Sequence, residues 1–111
     1  LTGIGAKMAE IDTLEDHVIT PSTRIRKSAD QVSCELNGEV AILNLKSAQY
    51  FGLDPVGAHI WAALEGVQEV AALVSTVVTV YDVDEAHCTS DIIDLVTKLN
   101  DEGLIEIVTD A

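Results

Sequence analysis

The sequence predicts an α+β domain in which a three-stranded antiparallel sheet is followed by three helices, in a winged helix-turn-helix-like order. Three observations carry that expectation. Two short apolar runs, Gln31 to Leu36 and Glu39 to Leu45, flank the dipeptide Asn37-Gly38. Both turn residues tolerate the positive φ of a type I′ turn, so the runs read as a hairpin. A third run, Gln49 to Leu53, passes directly into Asp54-Pro55 and a helical pattern. Two later stretches, Gln68 to Val80 and Glu85 to Glu102, repeat apolar residues every three or four positions.

Each element has its own justification. Leu1 to Ser22 shows weak periodicity, with Ile11, Leu14 and Val18 at spacings of three and four before Pro21. Chain ends fray, so 1–22 is expected to be a flexible arm and 23–109 the domain. Gly3 and Gly5 suit a linker, which makes Met8 the expected natural start. Arg24 to Lys27 reads as a short extended piece. In the first strand, Val32, Cys34 and Leu36 share one face. Lys46-Ser47-Ala48 breaks the chain before the third strand, where Tyr50 and Phe51 have high β-propensity.

Asp54 can accept hydrogen bonds from the free N–H groups of a first helical turn, and Pro55 fits the first helical position. Val56, Ile60 and Leu64, with Trp61 beside them, form the apolar face of that helix, and Gly66 caps it. The second helix presents Val70, Leu73, Val74, Val77 and Tyr81. Its many β-branched residues leave a strand from Val74 to Tyr81 as the alternative. Asp82-Val83-Asp84-Glu85 is a turn and N-cap that lacks the further ligands of a calcium loop. Cys88, Ile92, Leu95, Val96 and Leu99 mark the buried stripe of the third helix, and Gly103 caps it. Leu104 to Val108 closes the chain as a strand or extended tail.

Composition narrows the function. The chain has 111 residues, with 19 acidic against 6 basic side chains and a net charge of −13. Such a surface repels phosphate, so neither nucleic acid nor an anionic membrane is an expected partner. No apolar run reaches membrane-spanning length, and no charged segment precedes an apolar one, so the expected address is the cytoplasm. Cys34 and Cys88 belong to no Cys-x-x-Cys pair and read as two buried thiols. His17, His59 and His87 are scattered, and the sequence holds no nucleophile elbow, zinc-protease motif or phosphate loop. No catalysis, metal or cofactor is expected. Asp91 and Asp94 face similar directions, as a solvated acidic face or as a salt-bridge site for a basic ligand residue.

Three classes of function follow: a module that binds a peptide as an added strand, a DNA-binding winged helix, and an enzyme. A DNA-recognition helix needs exposed Arg or Lys. The third helix offers Lys98 amid Glu85, Asp91, Asp94, Asp101 and Glu102, which speaks against DNA. Strand addition needs an open edge and an apolar groove, and the hairpin with the third helix can supply both.

The string Leu45-Lys46-Ser47-Ala48-Gln49-Tyr50-Phe51-Gly52-Leu53-Asp54-Pro55-Val56-Gly57-Ala58-His59-Ile60-Trp61 resembles the coenzyme PQQ synthesis protein D family. The resemblance runs from about Arg24 to Val108. It is greatest to stand-alone members that serve lasso-peptide biosynthesis, because Gly103-Leu104-Ile105-Glu106 lacks the Trp of the PQQ members. The resemblance implies a recognition element for ribosomally made precursor peptides. Its partners would be the precursor's leader segment, a processing protease and a cyclase, with a PQQ-type peptide chaperone as the alternative. By position, the peptide-binding edge would be Gln49, Tyr50, Phe51, Gly52 and Leu53. The facing helix wall would be Asp91, Leu95, Lys98 and Leu99. Phe51→Pro is then expected to remove a backbone donor and side-chain packing together.

Overall fold

The computed structural model describes residues 19–109. The expected arm over 1–22 lies outside the described residues as far as position 18. At position 19 the chain is already anchored, because Ile19 is buried in the core.

The elements are β1 (Arg24–Lys27), β2 (Gln31–Leu36), β3 (Glu39–Asn44), β4 (Tyr50–Leu53), α1 (Pro55–Ala63), β5 (Gln68–Glu69), α2 (Val70–Val80), α3 (Glu85–Asp101) and β6 (Ile105–Val108). The hairpin and the three helices stand where the sequence puts them. The single sheet does not. The described strands form two antiparallel three-stranded sheets, ordered β2-β3-β4 and β5-β1-β6. The extended piece at Arg24–Lys27 is a central strand, paired with β6 from Arg24↔Val108 to Lys27↔Ile105. Local pattern hides this pairing because the partner lies about eighty residues away along the chain. Ile25, fully buried, anchors it, and Arg26 Nε donates to Glu106 Oε1 at 2.9 Å.

The hairpin turn forms at Asn37 (φ 55°) and Gly38 (φ 82°), the left-handed conformations that a type I′ turn requires. In the β2-β3-β4 sheet, Val40, Ile42 and Leu53 face the core. Val32, Cys34 and Leu36 do share a face, but it is the outer one, with Val32 51 % and Leu36 66 % exposed. The inner residue Ser33 instead accepts a hydrogen bond from Trp61 Nε1 at 3.1 Å. A period of two reveals which residues are cofacial. It does not reveal which face is dry. The expectation of two buried thiols therefore fails for Cys34, which is exposed, and holds for Cys88.

Asp54 caps α1 as its residue type requires, accepting from Gly57 N at 2.8 Å. Gly57 sits in a tight place: a Cβ there would lie 3.2 Å from Leu53 Cβ and 3.3 Å from Asp54 Oδ1, so its neighbours would have to give by a few tenths of an ångström. This close approach fixes the exit of β4 against the first turn of α1. The helix stops at Ala63, earlier than Gly66. Gln68 Nε2 donates to Ala63 O at 2.6 Å and Glu65 O at 3.0 Å, satisfying carbonyls that the helix end leaves open. Gln68 and Glu69 are spent on β5, so α2 begins only at Val70. The β-branched stretch is helical through Val80, because Val70, Leu73, Val74 and Val77 bury one helical stripe.

The two cysteines give a direct check on burial. Burial pushes the Cys88 thiol up from its ordinary value, and Asp91 and Glu85 push it in the same direction. Its folded value lies above the unfolded one. The stability it contributes is fully present below the unfolded value and is lost as pH rises through the folded value. Iodoacetamide at neutral pH is therefore expected to add one group per native molecule, at Cys34, and two groups in urea. Mass spectrometry of the intact protein and its peptides reads both numbers. Native labelling of Cys88 at the rate of Cys34 would contradict the burial.

Candidate functional site: an open strand edge facing helix α3

β4 pairs with β3 in the register Val40↔Leu53, Ala41↔Gly52, Ile42↔Phe51 and Leu43↔Tyr50. In the adjoining turn Asn44 N donates to Gln49 O at 2.9 Å. Pairs in an antiparallel ladder alternate between bonded and non-bonded. Ile42–Phe51 and Val40–Leu53 are thus the bonded pairs, and their backbone groups are occupied within the sheet. The N–H and C=O groups of Tyr50 and Gly52 point the other way, toward the open edge. No described strand pairs with that edge.

The turn before β4 is built by Asn44. Its Oδ1 accepts from Lys46 N at 2.8 Å and Ser47 N at 3.1 Å, and Ala48 takes a positive φ of 60°. Gln49 belongs to this turn, so the strand begins one residue later than the sequence reading. The same Asn44 donates through Nδ2 to Glu102 O at 2.7 Å, at the C-terminal end of α3. The Gln49 end of β4 is therefore tied to the end of α3.

Between β4 and α3 lies a groove of about 830 Å³. Phe51, Ile60, Val77, Ile92 and Leu95 give it an apolar lining, with Val83 and Cys88 toward the start of α3. Asp54, Asp84, His87, Asp91, Asp94 and Lys98 add polar groups. Asp84 serves as the N-cap of α3, accepting from His87 N at 3.0 Å, and lies 3.3 Å from His87 Nδ1.

The expected site residues divide as follows. Phe51, Gly52, Leu53, Asp91, Leu95 and Lys98 line the groove together. Tyr50 is 75 % exposed and contributes its outward backbone, while its side chain stands on the outer sheet face. Gln49 lies in the turn. Leu99 is 2 % exposed and belongs to the core. On a helix Leu99 follows Leu95 by one turn, and apolarity alone does not separate floor from rim. The sequence reading missed Val77, Val83 and Ile60 as lining residues. It had assigned Val77 and Ile60 wholly to the core, and Val83 to a turn.

His59 stands outside this groove, packed edge-on against Tyr81 with ring centroids 5.8 Å apart. Among the described residues, no three metal-ligating side chains converge, and no helix is long and apolar enough to cross a membrane.

Comparison with known proteins gives the family and the fold. The solved structure titled "TbiB1 in Complex with the TbiA(beta) Leader Peptide" is 34 % identical, with a TM-score of 0.70 over 77 % of this chain and 99 % of that one. A second, "Lasso peptide synthetase B1 complexed with the leader peptide", is 23 % identical, with a TM-score of 0.66 over 74 % of this chain and 96 % of that one, and shares the fold. No curated protein sequence matches. The family model described as coenzyme PQQ synthesis protein D matches residues 39–105, well over half of the chain, and the chain belongs to that family.

Proposed function

We propose that this protein binds the leader segment of a ribosomally made precursor peptide as an added strand on β4 and presents it to the enzymes of lasso-type maturation. One observation carries the reading. The unpaired backbone of Tyr50 and Gly52 opens beside an apolar groove, in a chain 34 % identical to a protein solved with a leader peptide. Unpaired strand groups are costly when buried alone and productive when offered to a peptide. The backbone supplies affinity, and the pocket lined by Phe51, Ile92 and Leu95 supplies side-chain choice. Residues 19–109 act as the recognition domain, with Ile19 part of its core. The hairpin with α2 and α3 is read as a winged helix-turn-helix turned to peptide binding. The carboxylates exposed on α3 support this use over DNA. Chemistry is left to the partner protease and cyclase, and the site of action is the cytoplasm.

The test is an amide titration with the TbiA(beta) leader peptide or with a short precursor encoded beside this protein. The Tyr50 and Gly52 amides, together with those of Asp91, Leu95 and Lys98, are expected to shift. Shifts confined to α1 or to residues before Thr23 would sink the proposed groove.

A further inference from the structure

The groove carries a charge gradient, and its direction follows from three observations. The bond from Asn44 Nδ2 to Glu102 O fixes the Gln49 end of β4 at the C-terminal end of α3. Leu53 and Asp54, at the other end of β4, share the groove with Val83 and Asp84 at the start of α3. β4 and α3 therefore run in opposite directions along the groove. The Leu53 end holds Asp54 and Asp84, with Glu85 next in the chain, and Asp91 lies two turns along the helix. The Tyr50 end holds Lys98, the one cation of the groove lining among the described residues, with Asp94 one turn before it, while Asp101 and Glu102 at the helix end lie outside the lining.

Two of these carboxylates have local duties, since Asp54 and Asp84 cap their helices. Asp91 and Asp94 have none. Asp94 and Lys98 are spaced four apart in the orientation that favours an ion pair on a helix. Yet among the described residues no ion pair joins Asp91, Asp94 or Lys98 to any group. All three are exposed along the rim. The dipole of α3 opposes the gradient with about half a positive charge at its N-terminus. Asp54, Asp84, Glu85 and Asp91 outnumber it, so the Leu53 end remains negative.

We infer that the groove selects a leader segment polarised in charge, with basic residues at the end that lies beside Leu53 and Asp91 and an acidic residue at the end beside Lys98. This rests on the strand-addition reading and adds a rule to it. The apolar pocket fixes where the segment sits, and the gradient chooses among segments of similar apolar pattern. It also disfavours a segment laid in the reverse direction, which a strand edge alone accepts more readily. Exposed ion pairs are weak, so each matched end is expected to tighten Kd by about two- to fivefold at low salt. Both ends together give about tenfold. The preference shrinks as added salt shortens the Debye length to about 3 Å at 1 M.

The experiment uses two blocked versions of the TbiA(beta) leader peptide, one with Lys-Lys at the N-terminal end and Glu-Glu at the C-terminal end, the other with the charges exchanged. Anisotropy gives Kd for each against the wild-type chain and against the Asp91→Lys/Lys98→Glu variant. A melting curve checks that the variant folds. One peptide is expected to bind the wild type about tenfold tighter at low salt, and the preference is expected to fall to near parity in the variant, which keeps Asp54, Asp84 and Glu85 at one end and loses the cation at the other. A nitroxide at the lysine end of the tighter peptide should broaden the amides of Val56 and Gly57. Equal affinities with the Gly52 amide still shifting, an undiminished preference in the variant, or broadening at Tyr50 instead would each overturn the gradient while leaving strand addition standing. If neither peptide shifts the Gly52 amide, strand addition itself falls and the gradient falls with it.

Discussion

Gly52→Pro is expected to abolish most leader binding while leaving the fold intact. The Gly52 N–H points to the open edge, so its loss costs the sheet no internal bond. Proline is tolerated on an edge strand where the missing donor faces outward. A Cβ at position 52 meets nothing within 4 Å, so the ring has room on the outer face. The residue before a proline is pushed toward extended backbone, which Phe51 already adopts. In the complex, the leader carbonyl that this donor would meet is left unsatisfied. Such a group costs about 1–3 kcal/mol, or about five- to one-hundred-and-fifty-fold in Kd. Calorimetry of binding and a urea melt, run on the same sample, separate the two effects. Gly52→Val keeps the donor and should bind nearly as the wild type does. Equal binding by Gly52→Pro would mean that the edge is not used. Phe51→Pro is the wrong probe for this purpose. The register places the Phe51 N–H inside the ladder against Ile42, so that change damages the sheet first.

Trp61→Ala is expected to cost about 3–5 kcal/mol, the usual range for deleting a buried large aromatic side chain. That is a large share of the ~5–15 kcal/mol by which such domains are stable. Trp61 is 4 % exposed on α1. Its Nε1 donates to Ser33 on β2, and the Lys27 ammonium of β1 lies 4.7 Å above its ring. The indole thus touches both sheets, and removing it leaves a cavity at their junction and hands the exposed Ser33 hydroxyl back to water. Burial draws the Lys27 ammonium below the ordinary lysine range, with Glu65 pulling it back. Its contact with the indole face offsets part of the desolvation. Trp61→Phe should recover much of the packing but not the hydrogen bond. The unfolding must be followed by circular dichroism, because the chain has one tryptophan. A loss under 1 kcal/mol would show that the two sheets do not depend on this joint.

Much of this was legible in the residues, and the exceptions share a cause. Asn37-Gly38, Asp54-Pro55 and the spacing of Val70, Leu73, Val74 and Val77 are local signals, and each element formed where they stand. The β1–β6 pairing is not local. Arg-Ile-Arg-Lys has one apolar residue, and nothing near it announces Ile105 and Ile107 as partners. At the site, Tyr50 to Leu53 was recognisable as a strand before a helix. Which of its backbone groups face outward depended on register, which the bond from Asn44 to Gln49 fixes. Leu95 and Leu99 read alike in sequence, yet one lines the groove and the other is buried in the core.

The pairing of Arg24 with Val108 sets the two ends of the described fold side by side. A second protein fused ahead of β1 or behind β6 would start from nearly the same point in space. Its reach to the groove would then be governed by linker length rather than by which end was chosen. Effective concentration across a flexible tether depends on that length and on the span to be bridged. A modifying enzyme joined in either order would therefore meet the bound segment at a similar local concentration.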